Sequence, residues 1–233
     1  MDFFERKSWI LGCNSRRVGN NVWLRINEVI LPNFTQAGSA FAADGTKEIF
    51  YGHSSFTRWV VPIDDETTIC YAWANFGERG DPQEYNTPEG PELIEQGELF
   101  DRPYEQRQKF PADVEACEGM GPITIHNNEN LTTSDMGVAL MRRQIREQIR
   151  GIKAGKEPMH VCSTDTASIP TYGGDTVLTI PNTVENDELE MLSTIAHEFV
   201  EIQFGVDGLS ESERINIVTD KLKAMQSSYN SSD

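Results

Sequence analysis

Ser54-Ser55-Phe56-Thr57-Arg58-Trp59-Val60-Val61-Pro62-Ile63, then Asp64-Asp65-Glu66, then Thr67-Thr68-Ile69-Cys70-Tyr71-Ala72-Trp73-Ala74-Asn75-Phe76 is the stretch that decides the fold class. Two runs rich in β-branched and aromatic residues flank a short polar turn, which is the pattern of an antiparallel hairpin. Upstream, Val22 to Leu31 (VWLRINEVIL) reads as another strand, with Arg25, Asn27 and Glu28 interleaved among apolar residues. Pro32-Asn33-Phe34 stops it, and Gly38 and Asp44-Gly45 mark residues 36–47 as a turn. Neighbouring β-runs joined by short turns imply an antiparallel sheet.

Downstream the character changes. Residues 77–110 carry many glycines, prolines and acids and read as a long irregular connection, of the kind that is either functional or a plain surface excursion. Residues 112–120 suit a short helix. Thr133-Ser134-Asp135 offers a cap for a helix over Met136 to Lys153, in which Val138, Met141, Ile145, Ile149 and Ile152 form an apolar stripe. Arg142, Arg143, Arg146, Arg150 and Lys153 make its remaining face basic, and Gly155 and Pro158 end it. A strand at Thr176 to Ile180 follows, then helices at Glu185 to Phe204 and Ser210 to Met225, then a polar, frayed tail. The fold class is therefore α+β: an antiparallel sheet packed with long helices.

The bulk numbers narrow the function. A chain of 233 residues with 38% hydrophobic and 9% aromatic residues is ordinary globular protein. A net charge of −17 without a basic stripe argues against binding a nucleic-acid backbone or an anionic lipid surface. Cys13, Cys70, Cys117 and Cys162 form no CxxC or CxH pair, so free thiols in a reducing cytoplasm are expected. The start Met1-Asp2-Phe3-Phe4-Glu5-Arg6-Lys7 does not fit a signal peptide, and no run approaches the ~18 apolar residues of a membrane span.

Few motifs carry chemistry. Ala196-His197-Glu198-Phe199-Val200-Glu201 begins like a zinc-protease helix, but Glu201 stands where the second histidine is required, so His197 reads as an ordinary helix residue. No GxGxxG, phosphate-binding loop or GxSxG occurs. Among the acids, Glu115 and Glu118 share a helix face, and Asp113 lies beside Ala116, Cys117 and Met120. Asp113 is either a helix-start acid favoured by the dipole or a buried carboxylate that needs a partner or a metal.

Several blocks, in order, resemble a known family. Arg107-Gln108-Lys109-Phe110-Pro111-Ala112-Asp113-Val114-Glu115-Ala116, Gly121-Pro122-Ile123, His126, Glu129-Asn130-Leu131, Thr133-Ser134-Asp135-Met136-Gly137-Val138 and Arg142-Arg143 resemble the catalytic domain of Rieske-type ring-hydroxylating oxygenases. The branch they resemble is that of phthalate dioxygenase and dehydrodivanillate O-demethylase. Leu31-Pro32-Asn33-Phe34 and Phe56 to Asp65 resemble that family's pocket strands, and Asp175 to Pro181 its C-terminal extension.

The resemblance implies a helix-grip, START-like domain, incomplete at its N-terminus. It implies residues 1–158 as a partial oxygenase catalytic domain and 159–233 as a helical extension packed on it. It further implies a mononuclear Fe(II) held by two histidines and a carboxylate, with Asp113 as that carboxylate. Arg25, Asn27, Asn33 and Arg58 lie on the pocket strands, where they either meet an aromatic carboxylate or face solvent and structural acids. The implied activity is O2-dependent hydroxylation or O-demethylation of an aromatic, carboxylated compound. Electrons would come from a reductase or ferredoxin, and the complete enzyme would be a homotrimer.

The chain departs from the family pattern in two respects. The ligand pairs of the 2Fe-2S Rieske cluster and the HxxxxH pair that completes the iron site are absent from the sequence. The expectation is that both reside on a missing segment or an upstream Rieske-bearing polypeptide, and that the isolated chain is inactive. A non-catalytic module that binds hydrophobic ligands, or an inactive gene fragment, is the alternative.

Overall fold

The computed structural model describes residues 1–6, 8–38, 44–54, 56–74, 103–109, 120–121, 123–158, 169–182 and 187–231. Residues 112–119 of the expected helix, with Asp113 and Cys117, and also Cys162, lie outside them. Among the described residues, seven strands form one antiparallel sheet: β1 (Asp2–Arg6), β2 (Trp9–Val18), β3 (Asn21–Ile30), β4 (Phe34–Ala37), β5 (Phe56–Pro62), β6 (Thr68–Ala74) and β7 (Gly174–Thr179). The helices are α1 (Tyr104–Lys109), α2 (Met136–Lys153), α3 (Glu188–Phe204) and α4 (Glu211–Asn230). The α+β class and the antiparallel sheet are as the sequence predicts.

Strand β3 organises the sheet. One edge pairs with β2 along its whole length, from Asn21↔Val18 to Ile30↔Trp9. The other edge is divided: β7 takes Asn21 to Ile26, and β4 takes Glu28 to Ile30. The order then runs outward through β4 to the β5–β6 hairpin, whose turn is closed by Asp64 accepting from the Glu66 and Thr67 amides.

Alternation along the strands sorts side chains onto two faces. On one lie Leu11 and Cys13 of β2, Val22, Leu24, Ile26 and Glu28 of β3, and Leu178 of β7. Helices α3 and α4 cover this face, burying Leu192, Ile195, Phe199, Val200, Val218 and Leu222 in one core with those strand residues. Local signals place both helices: Asp187 accepts from the Leu189 amide at the start of α3, and Ser210 and Glu213 form a capping box at the start of α4.

Helix α2 lies against the opposite face, over β1 and β2. Glu5 accepts from Gln144 (2.7 Å) and pairs with Arg143. Gly137 lets the helix approach, because a Cβ there would run into the Phe3 ring. Gln144 is the buried residue of α2, whereas Val138, Ile149 and Ile152 of its apolar stripe are exposed. The aromatic residues of the β5–β6 hairpin are open too: Tyr71 is 58% and Trp73 65% exposed.

Two local expectations need correction. Residues 34–37 are strand β4 and not a terminating turn, because Phe34, Thr35 and Gln36 pair back onto Ile30, Val29 and Glu28 of β3. Residues 226–230 continue α4 and do not fray, because the Gln226 side chain accepts from the Thr179 amide and Asn230 donates to the Thr179 carbonyl. The helix end is thereby tied to β7.

Phe199 is 2% exposed at the centre of the α3–sheet contact. Phe199→Ala is expected to destabilise the fold by ~3–5 kcal/mol, measured as a lower urea midpoint at unchanged slope.

Candidate functional site

The strand register sets which candidate residues meet. Arg25 pairs with Asn14 and Asp175, Asn27 with Gly12, and Arg58 with Thr35, which is itself paired with Val29. These odd positions of β3 and their cross-strand partners point to the α2 face, so Arg25, Asn27 and Arg58 share one side of the sheet. Asn33 sits in the β3–β4 turn, where its carbonyl accepts from the Val60 amide (2.9 Å).

Arg25 is held within the protein. Its Nε donates to Asp175 Oδ1 at 2.8 Å, and its guanidinium lies 4.8 Å from the centre of the Trp23 ring. Asp175 is 1% exposed and also accepts from Trp23 Nε1 (3.1 Å). Arg16 packs on the same ring at 4.7 Å. A buried carboxylate requires such partners. Gly38 lets the backbone close over the pair: a Cβ there would lie 2.8 Å from Asp175 Oδ1 and 3.0 Å from Arg25 Cγ.

Arg58 differs. Its guanidinium stacks on Phe56 (5.4 Å), and its Nε is buried with no hydrogen-bond partner among the described residues. A half-covered donor of this kind is ready to receive an anionic or carbonyl oxygen. Val60, on the same face of β5, is an exposed apolar neighbour.

The helix-covered face holds a second polar cluster, which no catalytic motif marks in the sequence. Glu28 is 1% exposed, and its Oε1 accepts from the Tyr172 (2.8 Å) and Gly173 (3.0 Å) amides. Burial pushes its carboxyl up to about 7, against the lowering effect of the two amide bonds and the Arg214 charge. A small cavity lies alongside, lined by Tyr51, Tyr172, Gly173, Phe199, Gln203 and Arg214. Arg214 donates to Gln203 Oε1 (3.1 Å) and packs 5.3 Å from the centre of the Tyr172 ring. The Tyr172 hydroxyl is held by Arg6 and Asp207, and its burial and the Asp207 carboxylate raise its pKa. The sequence did carry a signal for Glu28: it continues the inward series Val22, Leu24, Ile26 and so places a carboxylate where an apolar residue is due.

Among the described residues, no three of His, Cys, Asp and Glu converge as a metal site. These residues alone do not fit an iron, and Asp113 lies outside them. His197 is solvent-facing on α3, in edge contact with Phe4 and 3.8 Å from Asp2. No helix among the described residues is long and apolar enough to cross a membrane.

No protein-family model matches the chain. Among curated proteins, it is 30% identical over 231 residues to the oxygenase subunit of tert-butanol monooxygenase / tert-amyl alcohol desaturase from Aquincola tertiaricarbonis, covering 96% of this chain and 48% of that protein. It is 31% identical over 137 residues to the alpha subunit of phenoxybenzoate dioxygenase from Ectopseudomonas oleovorans, covering 59% and 30%. It is 31% identical over 127 residues to the oxygenase subunit of 5,5'-dehydrodivanillate O-demethylase from Sphingobium sp., covering 51% and 29%. The chain thus spans about half the length, or less, of the curated relatives it matches. All three relatives are oxygenase subunits of Rieske-type oxygenases, and the resemblance read from the motifs is borne out: over nearly its whole length this chain is similar to part of a Rieske-type oxygenase alpha subunit.

Proposed function

We propose that this chain is the C-terminal catalytic portion of the oxygenase component of a Rieske non-heme iron oxygenase. Residues 1–158 form the partial catalytic domain and 159–233 an extension packed on it. The observation that carries the reading is the 231-residue match to an oxygenase subunit, which takes in nearly all of this chain. In this reading Asp113 supplies the carboxylate of the iron site, and the two histidines and the 2Fe-2S cluster reside on the remaining half of the subunit or on a partner polypeptide. A reductase or ferredoxin delivers the electrons, and the complete enzyme assembles as a trimer in the cytoplasm.

The chain's own residues supply the wall of the substrate site. The face shared by Arg58, Asn27 and Val60 is suited to an organic molecule bearing one polar end. O2-dependent hydroxylation or O-demethylation of an aromatic compound is the reading favoured by the phenoxybenzoate and dehydrodivanillate relatives. A carboxylate on that compound would meet Arg58, because Arg25 is already paired with Asp175. A second reading is an uncharged aliphatic alcohol. It is favoured by the neutralised Arg25 and by the tert-butanol relative, which shares the longest match of the three.

Co-expression with the neighbouring upstream reading frame tests the assignment. The complex is expected to co-purify with iron and to consume O2 with substrate, and Asp113→Ala is expected to abolish both. Absence of iron from a soluble complex, or iron retained by Asp113→Ala, would sink it. Arg58→Met separates the two substrate readings. For an aromatic carboxylate, loss of a charge-assisted bond worth ~1.5–3 kcal/mol raises KM roughly 10- to 100-fold, whereas for tert-butyl alcohol KM stays unchanged.

A further inference from the structure

Two buried oxygen atoms on the helix-covered face lack donors among the described residues. Glu28 and Gln36 are paired residues of β3 and β4, so their side chains lie side by side on that face. Glu28 spends Oε1 on the Tyr172 and Gly173 amides, and its Oε2 is buried with no partner among the described residues. Gln36 spends its amide nitrogen on Thr57 Oγ1 (3.0 Å), and its Oε1 is likewise buried and unpartnered. Both side chains meet at Gly173: its amide lies 3.0 Å from Glu28 Oε1, and a Cβ there would fall 3.2 Å from Gln36 Oε1. Two buried acceptors on paired residues each carry the cost of an unmade hydrogen bond. One proton on Glu28 removes both defects.

We propose that Glu28 is protonated in the folded protein and donates to Gln36, forming a pH-responsive clasp that fastens β4 and the β5–β6 hairpin to the central strand. The place is mechanically significant. β4 pairs with β3 over three residues, Glu28↔Gln36, Val29↔Thr35 and Ile30↔Phe34, and these carry the hairpin on which Arg58 sits. Loss of the proton leaves a carboxylate against an amide oxygen at the first of the three pairs.

The surroundings support a shared proton. Leu11 of β2 faces Glu28 in register, Thr57 of β5 lies beyond Gln36, and α3 presents Gln203 nearby, none of them charged. Arg214 of α4 is the cation that acts on the carboxyl, and it is already bonded to Gln203. The Tyr172 hydroxyl is committed to Arg6 and Asp207, and Asp175 points to the opposite face beside Arg25. Burial accordingly holds the Glu28 carboxyl at about 7, against 4.5 for a free side chain.

The sign follows from proton linkage. Between pH 4.5 and about 7 the folded chain holds a proton that the unfolded chain has lost. This contribution to stability is complete below the unfolded value and is lost as pH rises through the folded one.

Three measurements on the full chain test the clasp. Carboxyl 13C NMR of Glu28 is expected to titrate near neutrality, and Gln36→Met, which removes the acceptor, to lower that midpoint. Urea melts are expected to show wild type losing about two orders of magnitude in its folding constant from pH 5 to pH 8 relative to Glu28→Gln, whose amide supplies the donor at any pH. Hydrogen-exchange protection of residues 56–74 is expected to be equal in the two proteins at pH 5 and lower in wild type at pH 8. A Glu28 midpoint below pH 5.5 would overturn the proposal, because it would mean that the Gln36 amide is turned to donate to an ionised carboxylate. Parallel pH profiles for wild type and Glu28→Gln would overturn it as well. The NMR titration stands alone if Glu28→Gln does not fold.

Discussion

A single strand edge shared by two partners is the constraint on which this structure depends. β3 gives one side wholly to β2 and divides the other between β7 and β4. The division brings together segments about 150 residues apart in sequence, and each junction is marked by a buried acid. Asp175 anchors β7 through Arg25 and Trp23 on one face. Glu28 anchors the start of β7 through the Tyr172 and Gly173 amides on the other. Neither carboxylate would be tolerated in this interior without those partners.

The two faces of the sheet consequently serve different ends. The face under α3 and α4 holds an apolar core that supplies most of the burial, with a polar row of Glu28, Gln36 and Thr57 at its margin. The face toward α2 is less fully covered. It carries guanidinium and amide groups, and the helix above it leaves much of its apolar stripe open. Stability is thus concentrated on the face under α3 and α4, and the polar groups of the other face are less deeply covered.

Much of this was legible in the chain itself. The hairpin signal at 54–76, the strand at 22–31 and the three long helices follow from side-chain periodicity and caps, which are local properties. The motif blocks around Asp113, Thr133 to Val138 and Phe56 to Asp65 pointed to the oxygenase family that the relatives bear out. Two features were misread. β4 was hidden because four residues beside a proline carry too little pattern, and the end of α4 was hidden because side chains tied to β7 hold it.

What the sequence alone determined was composition, periodicity and family likeness: an acidic, α+β chain with an oxygenase's motifs. Only the tertiary structure decided which charges are engaged. Arg25 and Arg58 look alike in sequence, each a cation within a strand. The fold pairs Arg25 with an acid 150 residues away and stacks Arg58 on a ring, its Nε unpartnered among the described residues. Glu28 gave its sign in strand parity, but its proton is a matter of burial and of the oxygen opposite it, and both arise only when β4 folds back onto β3. Local sequence sets which face a side chain takes, and long-range pairing sets what it meets there.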